Sequence, residues 1–247
     1  MSDTGLAVRI RAPLADSPFH GEGCRKVWAR LRHAGVRTSP RRVPRVMREH
    51  SLLAHQRAGS PKGPRAHDGT ITTPGVDGMW GTDMTAVATG EGQAAVFTAV
   101  DLCSAECMGI HASASATRHE ALEPIRQAVR RSFGAFGKDV AQGLKIRHDH
   151  GSQYMSRDFQ REVRFLGAES SPAFVRAPEG NGCAERFIRT LKENLLRVRR
   201  FETIEELRQA LLAFRRTCNE LRLIERHGHR PPAAIGKEQT VTNQKAA

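Results

Sequence analysis

Three carboxylates stand where this sequence could build a metal site. Asp83 falls inside Trp80-Gly81-Thr82-Asp83-Met84-Thr85, whose apolar and β-branched neighbours read as a half-buried strand, and a carboxylate there needs a partner. Asp149 ends a short strand and opens His148-Asp149-His150-Gly151-Ser152-Gln153-Tyr154, a turn whose glycine lets a ligand approach the backbone. Glu185 lies one turn into a long helix, after Pro178-Glu179-Gly180-Asn181-Gly182. Strand centre, strand end and helix start can converge on one edge of a sheet. Hard oxygen ligands of this kind suit Mg²⁺ or Mn²⁺, which keep several waters and accept phosphate oxygens in the remaining positions. Phosphodiester chemistry follows: two such ions about 3.5–4 Å apart can activate an attacking oxygen and neutralise a leaving one, with no side-chain nucleophile. Layout alone leaves each acid an alternative as an N-cap, a surface charge or a strand-edge residue.

Neighbouring residues extend the pattern. Arg189 and Lys192 follow Glu185 at i+4 and i+7, so the three share one helical stripe, and basic heads beside a metal site would hold DNA phosphates. The competing account of the stripe is an exposed Glu-to-Arg pair. Arg197, Arg199 and Arg200 could lengthen the track or simply be a solvated face. His148 and His150 are expected to face solvent or support Asp149 rather than ligate, because imidazole suits zinc better than Mg²⁺. Gln153 and Tyr154 are expected to shape the substrate loop. Tyr154, the single tyrosine, lacks the Arg/His set that a covalent recombinase mechanism requires. Five scattered cysteines, none in a C-x-x-C pair, argue against a disulfide scaffold. Cys103, Cys107 and His111 lie in a stretch that reads as strand and turn, which would not bring them onto one face.

The elements that must position the acids are legible in outline. Residues about 20 to 57 show two Arg-rich helical patterns, one on Cys24, Val27, Trp28 and Leu31, the other opened by Ser39-Pro40 and carried by Val43, Val46 and Met47. Pro44 is expected to delay or kink the second. A Pro/Gly-rich linker follows at 59–73. After Pro74 come strands at Met79–Val87, Ala94–Leu102 and Met108–Ser113, an antiparallel meander turned at Gly90-Glu91-Gly92. A helix around Leu122–Phe133, a strand at Leu144–His148, a helix over Phe159–Leu166, a strand near Ser170–Phe174 and a long helix from Asn181 to Arg197 continue the chain. The sum is an α/β fold with a mixed sheet. Helical patterns at Ile204–Phe214 close it, and 237–247 reads as a frayed tail.

Charge agrees with a polyanion partner. The 247 residues carry a formal charge of +13. It is distributed as +9 over residues 1–73, −3 over 74–185 and +7 over 186–247, so basic flanks enclose an acidic centre. No apolar run approaches the ~18–20 residues that span a bilayer, and no leader is evident. A membrane role is thereby excluded and a cytoplasmic protein expected.

Taken together, Trp80-x-Thr82-Asp83-x-Thr85, Asp149-His150-Gly151-Ser152-Gln153-Tyr154 and Asn181-Gly182-x-x-Glu185-Arg186-Phe187-x-x-Thr190-Leu191-Lys192 resemble the integrase core of bacterial insertion-sequence transposases. The 35 residues between Asp149 and Glu185 match the spacing of the Asp-Asp-Glu group shared with retroviral integrases. Ser39 to Leu52 is similar to the helical DNA-binding segment that precedes that core, and Asn219-Glu220 with Pro231–Ile235 is similar to its closing segment. The resemblance implies an RNase H-like fold, Mg²⁺ (or Mn²⁺) held by Asp83, Asp149 and Glu185, and cleavage at element ends followed by transfer of a 3′-hydroxyl to target DNA. It also implies DNA contacts by Arg41, Arg42 and Arg45 as well as Arg189 and Lys192, a homo-oligomer on DNA, and a separate helix-turn-helix protein from an upstream frame. The implied organisation is a DNA-binding segment at 1–58, a linker at 59–73, a core with C-terminal helices at 74–236 and a tail at 237–247. Two alternatives remain at this point: a non-catalytic DNA-binding derivative, and an RNase H-like nuclease without strand transfer.

Overall fold

The computed structural model describes residues 1–54, 71–173 and 181–246, and the chain divides into two units, 1–64 with 222–230 and 65–221 with 231–247. Most of the expected linker, and the Pro178-Glu179-Gly180 approach to Glu185, lie outside the described residues.

The first unit is built from three helices, α1 (Asp3–Ala15), α2 (Cys24–His33) and α3 (Arg42–Glu49). Leu6, Ala7 and Ile10 meet Val27, Leu31, Val43, Val46 and Met47 in one buried cluster, each helix contributing apolar residues at three- and four-residue spacing. Helix α1 was not anticipated from the sequence; Ser2 caps it by accepting the Gly5 N–H at 3.1 Å. Gly35, at φ +76°, turns the chain between α2 and α3, and the Trp28 indole N–H donates to the Thr38 carbonyl at 2.9 Å, pinning that turn. Pro44 neither delays nor kinks α3. It is the third residue of the helix, where a backbone N–H would have no intrahelical acceptor in any case. Residues 222–230, assigned with the core in the sequence, pack here instead: Arg25 pairs with Glu225 at 2.6 Å and the Trp28 and His229 rings meet edge to face at 6.2 Å.

The second unit carries strands β1 (Met79–Thr89), β2 (Gly92–Asp101), β3 (Cys107–Ser113), β4 (Lys145–His148) and β5 (Glu169–Pro172). Their spatial order is β3-β2-β1-β4-β5. The first three form the expected meander, with Asp83 opposite Thr98, while β4 and β5 run parallel to β1. Helices α4 (Arg118–Phe133), α5 (Ser152–Met155), α6 (Arg157–Phe165), α7 (Gly182–Leu191), α8 (Ile204–Leu221) and α9 (Pro232–Ala246) flank this mixed sheet. Residues alternate across the pleat. Trp80 and Phe97 enter the core with Leu122, Ile125 and Val129 of α4 and Phe159 and Val163 of α6, whereas Gly81, next along β1, meets Asn181 and Ala184 at the start of α7. The long helix expected from Asn181 to Arg197 is regular only to Leu191 and widens into a π turn over Lys192–Leu196.

Helices also seal the edge strand β3. The Asn219 side-chain amide pairs with both the N–H and the C=O of Cys107, each at 2.9 Å, Gln127 accepts the Ile110 N–H at 3.2 Å, and Arg208 donates to the Ala112 carbonyl at 2.8 Å. Open ladder positions are thereby consumed by side chains. The segment read as a frayed tail is the continuation of α9, held where Gln239 accepts the Val76 N–H at 2.8 Å.

Packing of α4 on β3 depends on one glycine. A Cβ at Gly109 would lie 1.9 Å from the Pro124 carbonyl oxygen, a backbone atom that cannot swing aside. Gly109→Ala should therefore cost about 3 kcal/mol or more in urea unfolding, and a loss below about 1 kcal/mol would show that β3 and α4 are not in this contact.

Candidate functional site

Asp83 sits in the middle of the central strand, half-buried, its Oδ1 accepting the Met84 N–H at 2.8 Å. Burial pushes its pKa up to about 6; the Met84 N–H opposes this, Asp149 and Glu185 add to it, and Lys192 pulls the other way. The Met84 backbone and side chains from the turn after β4, helix α7 and the π turn thus act on one carboxylate.

Asp149 is exposed, and its Oδ1 accepts the Gly151 N–H at 2.8 Å, closing a tight turn. A Cβ on Gly151 would come within 2.9 Å of that oxygen and 2.5 Å of the Gln153 amide nitrogen, so a larger residue there would push both side chains aside. Glu185 is exposed on the first turn of α7. Partial burial raises its pKa and Arg189, one turn on, lowers it. Arg189 and Lys192 therefore lie beside the acids.

His148 takes the second of its two expected places, supporting Asp149 instead of facing solvent. It is fully buried, stacked on Tyr154 at 5.5 Å, with Nε2 2.8 Å from Ser170 Oγ and Nδ1 2.6 Å from the Asp149 carbonyl. Burial lowers its pKa, and its role is to anchor the backbone from which Asp149 projects; His150 is exposed. Tyr154 is likewise a core residue rather than a loop residue. Its hydroxyl lies 3.4 Å from Thr82 Oγ1, and burial drives its pKa far up, against any nucleophilic use.

Among the described residues no three His, Cys, Asp or Glu side chains converge closely enough to hold a metal ion, the Cys103-Cys107-His111 set included. That holds for Asp83, Asp149 and Glu185 as well. Their chemistry nevertheless fits a hard divalent cation: all donors are carboxylate oxygens, and the half-buried one has no cation in hydrogen-bond contact among the described residues. Sequence reading missed Asn181 as a contact, although its side chain reaches β1 by donating to the Thr82 carbonyl at 2.9 Å.

In the helical unit Arg41 is exposed, but Arg42 and Arg45 are both engaged by Asp3, at 2.6 and 2.7 Å, and Arg45 also by Glu49 at 2.9 Å. The two arginines hold the Asp3 carboxyl below its usual range. Asp3 on the unanticipated α1 therefore competes for two of the three basic groups of this unit expected to contact DNA.

Residues 74–178 and 167–232 match the integrase core domain in two overlapping stretches, and 19–59 match an HTH-like domain. Between them the two stretches carry the integrase-core match across residues 74–232. The chain is 28% identical over 204 residues to transposase InsD of insertion element IS2 from Escherichia coli, a match covering 79% of this chain. The chain spans 66% of the length of that relative. The integrase catalytic core of BIV shares the fold at TM-score 0.51 and 20% identity, over 68% of this chain and 99% of that one. A chain of the simian T-cell lymphotropic virus intasome, solved with the PP2A regulatory subunit B56 gamma, does so at TM-score 0.54 and 16% identity, over 87% of this chain and 70% of that one. This integrase-core chain has no described helix long and apolar enough to cross a membrane.

The raised pKa of Asp83 has a thermodynamic consequence without metal. Between about pH 4 and 6 the folded state holds a proton that the unfolded state has released, so stability falls as pH rises through that window. In EDTA, Asp83→Asn should abolish this fall and be more stable than wild type at pH 7, on the order of 2 kcal/mol. Parallel wild-type and variant curves from pH 4 to 8 would contradict the assignment.

Proposed function

We propose that the chain is a DNA transposase that cleaves at the ends of an insertion element and joins the freed 3′-hydroxyl to target DNA. The observation that carries this reading is a half-buried carboxylate on the central strand of an integrase core, its ionisation opposed by two carboxylates from separate elements. Asp83, Asp149 and Glu185 are assigned as the residues that would hold Mg²⁺ or Mn²⁺. Bound there, the ions would activate the attacking oxygen and neutralise the leaving one in an in-line displacement.

The chain's own groups do the remaining work. His148 and Gly151 fix the turn that presents Asp149, and burial of Asp83 keeps water from solvating the site's anionic floor. Arg189 and Lys192 are positioned to hold scissile-strand phosphates beside the acids. The helical segment at 1–58 grips DNA; a linker at 59–73, the core at 74–236 and the C-terminal segment at 237–247 complete the chain. Bringing two element ends together calls for a homo-oligomer on DNA, working in the bacterial cytoplasm with a separate helix-turn-helix protein from an upstream frame.

A labelled element end incubated with Mg²⁺ and target DNA tests the reading. Asp83→Asn, Asp149→Asn and Glu185→Gln should each lose at least about 10³-fold in both nicking and joining while retaining DNA binding. Wild-type activity in Asp149→Asn would refute it, and nicking with no joined product would convert it to a nuclease. Asp3→Asn should release Arg42 and Arg45, tightening DNA binding about threefold or more and steepening the salt slope by about 0.9 for each phosphate newly engaged. An unchanged slope would remove these two arginines from the DNA contact.

A further inference from the structure

One side chain ties the helix that carries Glu185 to the strand that carries Asp83. Asn181, at the head of α7, is 5% exposed. Its Nδ2 donates at 2.9 Å to the carbonyl of Thr82, the residue before Asp83. Its Oδ1 is buried and has no donor among the described residues. Gly81 and Asp83 are two apart on β1 and so lie on the same face of the sheet, the face toward α7. A Cβ at Gly81 would stand 2.7 Å from Asn181 Oδ1, 3.1 Å from a Leu102 methyl and 3.2 Å from Ala184 Cβ. The helix therefore rests on bare strand backbone at the residue pair nearest Asp83.

We propose that Asn181 and Gly81 together form a brace that sets the separation of Glu185 and Asp83, the amide fastening α7 to β1 and the glycine admitting it. The proposal rests on the reading of those acids as metal ligands. The carboxylates repel one another until a cation arrives, so a fastening that works beforehand has to be neutral. An amide donor meets that requirement, whereas a lysine or arginine would compete with the metal and an aspartate would add to the repulsion. The orphaned Oδ1 is the cost of the arrangement: a buried acceptor left without a partner is retained only where the donor on the same group is needed. Asn181 is assigned an action through the elements that carry Asp83 and Glu185, which makes it a positioning residue.

The test follows Mn²⁺ binding to the purified full chain through the electron paramagnetic resonance of free Mn²⁺, with hydrogen exchange of the amides at 183–188 and melting in EDTA measured on the same samples. Wild type should bind Mn²⁺ and Glu185→Gln should not. Asn181→Ala and Gly81→Ala, which attack the brace from opposite sides, should each weaken Mn²⁺ binding about tenfold and speed α7 exchange, with melting within about 3 °C of wild type. Wild-type Mn²⁺ affinity in both variants overturns the brace. Should wild type bind no Mn²⁺, or Glu185→Gln bind as wild type does, the metal reading falls by itself. Exchange then decides the brace: faster in Asn181→Ala supports it, unchanged overturns it. If an alanine variant melts much lower, Asn181→Asp replaces it, keeping the shape and removing the donor; unchanged α7 exchange in that protein is equally fatal.

Discussion

A carboxylate held half-buried in the middle of the central strand is the constraint around which this molecule is organised. Asp83 cannot be solvated as a surface acid would be, and no cationic side chain meets it in a hydrogen bond among the described residues. Its environment leaves it poised near neutrality, with Asp149 and Glu185 raising the cost of its charge and Lys192 lowering it. A fold shaped only for stability would place an apolar residue there, as it does at Trp80 and Phe97. The surrounding architecture reads as the means of tolerating this one residue: a meander that makes β1 central, a parallel pair that ends at Asp149, and a helix laid across glycine so that Glu185 arrives from the other side.

How much of this the sequence discloses depends on the range of the interaction. The meander is legible because its signals are local, alternating residues and a turn at Gly90-Glu91-Gly92 with Thr89 paired to Gly92. Asp83 draws notice as a carboxylate inside an apolar strand, and Asp149 and Glu185 through a spacing that matches a family pattern. Helix α1 escapes notice because Gly5, Arg9, Arg11 and Pro13 dilute its apolar stripe to Leu6, Ala7 and Ile10. Contacts between distant residues leave no trace at all: Asp3 lies 39 residues from Arg42 and Asn181 lies 99 from Thr82. Sequence leaves His148 undecided between solvent and support of Asp149 for a related reason, since its polar neighbours suggest solvent while Tyr154 and Phe159, later in the chain, bury it.

The net charge of +13 likewise means less than its pairing. In the helical unit several basic groups already have acidic partners, Arg42 and Arg45 with Asp3 and Arg25 with Glu225. A basic protein whose arginines are partly self-neutralised meets a polyanion through exchange of partners rather than simple attraction, and such exchange depends strongly on salt. Formal charge counted along a sequence overstates the field that a folded surface presents.

The sealing of β3 by Asn219, Gln127 and Arg208 reaches beyond protection against aggregation. A sheet whose border is closed by side chains cannot grow on that side by strand addition, so copies gathering there must meet through helix exteriors. Those surfaces can change residue by residue without disturbing a hydrogen-bond ladder. A contact made on those surfaces would leave the strand that bears Asp83 undisturbed.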